Sequence, residues 1–137
     1  MTLWKDEDNY RILTNKDEIQ ELTTGFIFFQ SNKGLLETLK NFSEKRGSSI
    51  EFVGFLFKNE MDKFGQAYEN LADDQVLLSA DYPAASEDCE AYLNFDEFYQ
   101  YFESGFDSLV KEYPDRYNEP EIRKALKALR ESLGIEG

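Results

Sequence analysis

Carboxylates are the side chains through which this sequence could do chemistry, because other reactive side chains are scarce. The 137 residues contain no histidine and one cysteine, Cys89. Histidine is the commonest general base and a frequent metal ligand, so its absence removes most acid–base and nucleophile-activation schemes. A single cysteine rules out an internal disulfide and a cysteine-based zinc site. It fits a reducing compartment and reads as a small apolar residue on one face of a strand. Two carboxylate chemistries remain: paired acids of a glycosidase, or oxygen ligation of Ca²⁺ or Mg²⁺. For a metal the candidates are Asp73-Asp74 and Glu87-Asp88 with Glu90. Neither cluster has the spaced ladder, central glycine and terminal glutamate of a calcium loop. No spacing fixes two acids across a cleft. Gly25, Gly47, Gly54, Gly65 and Gly105 form no phosphate-binding pattern, and no serine sits in a nucleophile elbow. The expectation is a protein that is not an enzyme, with no catalytic residue, metal or cofactor.

The acids make more sense as a surface. Asp and Glu number 28 against 15 Lys and Arg, a formal net charge of −13. The imbalance is concentrated: residues 51–110 hold fourteen acids and two bases, and no Lys or Arg occurs between Lys63 and Lys111. An ordinary solvated surface mixes both signs. A stretch this one-sided repels itself, and a cationic partner would relieve the strain. Asp96, Gln100, Glu103 and Asp107 are spaced 4, 3 and 4, so they share one face of a helix, opposite a phenylalanine stripe. Asp73, Asp74, Asp81, Glu87, Asp88 and Glu90 extend the acidic set, and Tyr82 and Tyr101 lie within it. Tyrosine supplies rigid contact area and carboxylates pair with Lys and Arg, a combination suited to a basic protein surface. The blander reading is a solvated helix face with tyrosines packed in the core. Nucleic acid is disfavoured as a partner, since binding phosphate chains depends on Lys and Arg.

The elements that must position these residues follow from capping signals and periodicity. Asn15 with Glu18 opens a short helix that Gly25 is expected to stop. Phe26–Phe29 is a short apolar run of either type. Ser31 caps a helix from about Asn32 to Arg46, with Leu35, Leu36, Leu39 and Phe42 inward and Gly47 as left-handed cap. Ile50–Phe57 reads as one strand, with Gly54 at a bulge or close approach. Residues 58–72 are expected to be irregular, with one helical turn or two. Val76–Tyr82 and Cys89–Leu93 read as a hairpin through the turn-rich residues 83–88. Asn94 with Glu97 caps a helix whose stripe is Phe95, Phe98, Tyr99, Phe102, Phe106 and Leu109, ended by Tyr113-Pro114. Asn118 with Glu121 opens the last helix, Ile122, Ala125, Leu126, Leu129 and Leu133 facing inward and Arg123, Lys124, Lys127 and Arg130 outward. The order predicts an α+β fold, a single domain over residues 1–137, with a small, mainly antiparallel sheet packed against several helices. No apolar run reaches membrane-span length, and MTLWKDEDNY lacks the apolar core of a signal peptide. A cytoplasmic protein with no membrane contact is expected.

The segment CEAYLNFDEFYQYFESGFDSLVKEYPD, a strand leading into an aromatic helix that ends at Tyr-Pro, resembles the C-terminal part of bacterial immunity proteins. These belong to contact-dependent inhibition and related polymorphic toxin systems, the ribonuclease-toxin immunity type included. EFVGFLFKNE adds to the likeness, which spans about residues 50–115. The resemblance implies an antitoxin that binds and neutralises a cognate toxin domain, a nuclease in that type, and protects the producing cell. It implies no catalytic residues. An acidic mimic of nucleic acid that inhibits a DNA-binding enzyme, and a carboxylate-dependent enzyme, are the competing readings.

Overall fold

A computed structural model describes residues 11–50, 52–58, 71–81 and 89–135. Among these, five strands and four helices follow one another as β1 (Arg11–Ile12), α1 (Lys16–Phe28), α2 (Asn32–Ser43), β2 (Ser48–Ile50), β3 (Val53–Phe57), β4 (Gln75–Ala80), β5 (Cys89–Asn94), α3 (Phe95–Glu112) and α4 (Glu119–Ser132). The strands form one sheet in the order β1-β5-β4-β3-β2. Strands β2 to β5 are antiparallel neighbours, and β1 joins the β5 edge in parallel. The predicted α+β architecture is the one observed.

Strand alternation decides where the core lies. Val53, Phe55 and Phe57 of β3, Val76, Leu78 and Ala80 of β4, and Cys89, Ala91 and Leu93 of β5 share the face that packs on the helices. Five phenylalanines close that interface: Phe26, Phe42, Phe55, Phe98 and Phe102, all fully buried. Their ring centroids lie 4.9 Å apart for Phe26–Phe55, 5.1 Å for Phe42–Phe98 and 5.2 Å for Phe55–Phe102, mostly edge to face. Such geometry adds about 0.5–1.5 kcal/mol per pair beyond area burial.

Three local expectations are corrected. Gly25 does not stop α1, which runs on through Phe28. Glycine inside a helix costs roughly 1 kcal/mol, whereas the continuation buries Phe26 and Ile27 completely, worth about 1.5–3 kcal/mol each. Gly47 does not cap α2: the left-handed residue is Lys45, at φ 59°. Its amide donates to Phe42 O at 2.9 Å and that of Arg46 to Asn41 O at 2.8 Å, the paired bonds of a Schellman end. The stretch read as one strand from Ile50 is a hairpin, with Ile50 opposite Val53 and a two-residue connection between β2 and β3. Gly54 is a close approach: a Cβ there would stand 2.9 Å from Ser49 Cβ. The expected helical turns within 59–70 and the turn at 83–88 lie outside the described residues.

Candidate functional site

Helix α3 is fixed at its start by a reciprocal cap. Asn94 Oδ1 accepts from the Glu97 amide at 2.8 Å, and Glu97 Oε1 accepts from the Asn94 amide at 3.0 Å. The preceding residues Gln75 and Asn94 are cross-strand partners, and the Phe95 amide donates to Asp74 O at 3.0 Å. The turn before β4 is thereby pinned to the first turn of α3. Asp73 and Asp74 come to lie beside Asp96 and Glu97, although more than twenty residues separate the pairs in sequence.

A second helix contributes to the same end. Gln20 Nε2 donates to Tyr101 O at 2.9 Å, a Cβ on Gly105 would meet Thr24 Oγ1 and Ile27 Cδ1 at 3.0 and 3.1 Å, and Phe28 packs against Tyr113 with ring centroids 5.4 Å apart. The contacts climb both helices together, so α1 and α3 run parallel and their N-termini share one end. Asp17 and Glu18 stand in the first turn of α1. Tyr101 has its pKa raised, first by burial and then by the carboxylates of Glu97 and Asp17. That end therefore gathers Asp17, Glu18, Asp73, Asp74, Asp96 and Glu97. Each helix N-terminus contributes about +0.5 charge. Among the described residues, Lys16, Lys58 and Arg130 offset these six carboxylates only in part. Asp73 is 97% exposed and reaches Lys58 only at 3.9 Å. Among the described residues, no cation pairs with Asp74 or Asp96.

The rest of the expected site is dispersed. The row Asp96, Gln100, Glu103 and Asp107 is not uniformly solvated: Asp96 and Gln100 are exposed, Glu103 and Asp107 are partly buried, and Asp107 reaches α4. Asp107 is bound to Arg123 of α4 at 2.7 Å, and Arg123 also takes Glu119 at 3.2 Å and lies 5.0 Å over the Phe106 ring. Glu103 accepts from the Tyr99 hydroxyl at 3.5 Å. Tyr99 is raised by burial first and by Glu103 next, while Arg130 and Arg123 act in the lowering direction. Arg123, expected to face solvent, is thus half-buried in charge contacts. Asp81 follows β4, about 20 Å from Asp74 at strand rise. Its amide donates to Phe52 O at 2.9 Å.

Glu90, expected at the surface, is only 8% exposed. It sits on β5 between β1 and β4, paired with Ile12 and Ser79. Alternation puts it on the sheet face away from the helices, where Leu77 and Leu71 are also buried. Tyr82, Glu87 and Asp88 lie outside the described residues. The sequence reading missed Asp17, Glu18 and Glu97. First-turn acids after Asn15 and Asn94 were a visible signal, but the parallel pairing of the two helices was not.

Among the described residues, no group of three or more acids or cysteines is placed to hold a metal ion, and no helix is long and apolar enough to cross a membrane. What these residues form is a rigid α+β platform with a charged end. The family model of the CDI immunity proteins matches residues 16–126, from the first residue of α1 to the middle of α4. The chain belongs to the CDI immunity protein family, whose members neutralise a cognate toxin. Searches of curated proteins and of solved structures returned no match.

Proposed function

We propose that this chain is an inhibitor, not an enzyme, that neutralises a cationic nuclease toxin domain in the bacterial cytoplasm by presenting it with an acidic surface. The observation that carries this reading is the gathering of Asp73, Asp74, Asp96 and Glu97 by the Asp74–Phe95 backbone bond, with Asp17 and Glu18 brought alongside by the parallel helix. A nuclease must present Lys and Arg to phosphates, so an inhibitor that takes the phosphates' place needs concentrated, rigid negative charge. The cap of α3 and its phenylalanine stripe supply the rigidity. Tyr101 remains part of the proposed surface, whereas Asp81, at the far end of β4 beside Phe52, does not. Glu90 and Asp107 are set aside, one for its burial and the other for its internal partner.

The purified cognate toxin domain is the probe. Wild-type protein should suppress its nuclease activity at equimolar ratio. Association should slow by ten-fold or more as salt rises, since the Debye length falls to about 8 Å at physiological ionic strength and less beyond it. Asp74→Lys with Asp96→Lys should slow association further. A rate indifferent to both salt and charge reversal would remove the acidic surface from recognition.

A further inference from the structure

Ile12, Phe29, Phe52 and Tyr113 are the large apolar side chains exposed among the described residues, at 56, 67, 46 and 42%. Phe29 and Tyr113 are not isolated. Both pack on Phe28, with centroids at 6.1 and 5.4 Å. Arg116, from the connection between α3 and α4, lies 4.5 Å over the Phe28 ring and donates to Phe28 O and Gln30 O at 2.5 and 3.4 Å. The last turn of α1 contains no basic residue, so Arg116 supplies the cation that its C-terminal carbonyls favour. The result is an exposed aromatic surface held in place by a charged clasp. Aromatic side chains fixed before binding lose little entropy on contact and are the residue types that anchor interfaces.

This surface stands at the C-terminal end of the same parallel pair whose N-terminal end carries the acids. The outer seam between the two ends presents Glu21, Ser104 and Ser108, all exposed. From Glu97 to Tyr113 the helix rises about 24 Å. A standard interface of about 800 Å² per partner is roughly 32 Å across, so both ends fit beneath one domain. Charge complementarity sets the orientation. A cationic partner places its Lys and Arg at the acidic end, and the aromatic end takes its apolar side chains. The charge of Arg116 is turned toward two carbonyls and a ring.

We propose that a single cationic toxin domain covers the α1/α3 face from end to end, with Phe29 and Tyr113 as its apolar anchors; this rests on the toxin-inhibitor reading above. The test is toxin-domain binding by wild type, Phe29→Ser, Tyr113→Ser and, as a control on another surface, Phe52→Ser. Melting curves of all four check that the exposed substitutions leave the fold intact. Phe29→Ser and Tyr113→Ser should each weaken binding about ten-fold or more, through faster dissociation, with Phe52→Ser unchanged. Wild-type binding that all three variants retain overturns the anchor assignment and leaves the inhibitor reading standing. No wild-type binding overturns both. Light scattering that shows a wild-type dimer made monomeric by Phe29→Ser would assign the patch to a second copy and overturn the toxin as its occupant.

Discussion

Arg123 Nη1 stands 2.7 Å from Asp107 Oδ1, so the acid nearest the end of the carboxylate row already holds a cation from the last helix. In sequence Asp107 belongs to a 47-residue stretch without a basic residue. In the fold its compensation arrives from sixteen positions downstream. Negative charge available to a partner therefore shifts from the middle of α3 to its N-terminal end.

Reversing Asp107 and reversing Asp96 should separate by effect. Asp107→Lys sets a cation against Arg123 and should lower stability by about 0.5–1 kcal/mol, the range for a partly exposed pair. Asp96→Lys removes a favourable charge from the start of a helix, about 0.3–1 kcal/mol, and breaks no ion pair. For toxin association the order should invert, with Asp96→Lys slower and Asp107→Lys near wild type. Denaturant melts and association rates on the two variants check both halves. Equal slowing by the two reversals would return the recognition surface to the whole row.

Phe98→Ala and Phe102→Ala should each cost about 3–5 kcal/mol, because both rings are buried and surrounded by other rings, leaving a cavity that the sheet cannot fill. Chemical denaturation measures this directly. A loss below about 1 kcal/mol at Phe98 would mean that the cluster repacks around the void.

The elements were legible wherever a cap or a stripe was written locally. Asn15, Ser31, Asn94 and Asn118 each accept from the amide three residues on, as their spacing to Glu18, Gly34, Glu97 and Glu121 indicates. What was not legible is long-range. The strand at Arg11–Ile12 is two residues long and exists by pairing with β5, which no periodicity encodes. Lys45 rather than Gly47 turns left-handed because α2 ends at Ser43, three residues early. The Lys45 ammonium, which donates to Ser132 O at 3.5 Å, then ties that end to α4. The site divided along the same line. Asp74 and Asp96 were named from composition, but the Phe95–Asp74 backbone bond that brings them together, and the arginine that removes Asp107, are properties of the packed chain.

Alkaline pH should weaken the fold through its tyrosines. Burial is the first cause raising Tyr99, Tyr101 and Tyr117 above 10.0. The Tyr117 hydroxyl makes no hydrogen bond of ordinary geometry, although the nearby Arg116 charge opposes part of its rise. Below the unfolded pKa both states are protonated and these groups leave stability unchanged. Above it the unfolded chain loses protons that the native state keeps, so stability falls as pH rises through the window between the unfolded and folded values. Denaturant midpoints at about pH 9 and about pH 11 should differ in that direction. Tyrosinate absorbance should show a class that ionises only on unfolding. A midpoint unchanged across the interval would mean that these rings reach solvent in the native state.

The close approach of α1 and α3 turns on Gly105, which is buried. A Cβ there would meet Thr24 Oγ1 at 3.0 Å and Ile27 Cδ1 at 3.1 Å, both ends of side chains. For Gly105→Ala two effects oppose one another. Helix propensity favours alanine by about 0.8–1 kcal/mol, and the squeeze on Thr24 and Ile27 must be relieved by shifts of a few tenths of an ångström. The two should nearly cancel, leaving stability within about 0.5 kcal/mol of wild type. For Gly105→Leu the propensity gain is similar, but the side chain must push Ile27, itself fully buried, away from its seat. Overpacking of this kind costs about 1–3 kcal/mol. The helices would part along the seam, and the Gln20–Tyr101 bond that ties them would lengthen. Gly105→Leu should therefore melt earlier and bind the toxin domain more weakly, while Gly105→Ala does neither. Calorimetry with the binding assay decides it, and a leucine variant as stable as wild type would mean that the parallel pair is not packed through Gly105.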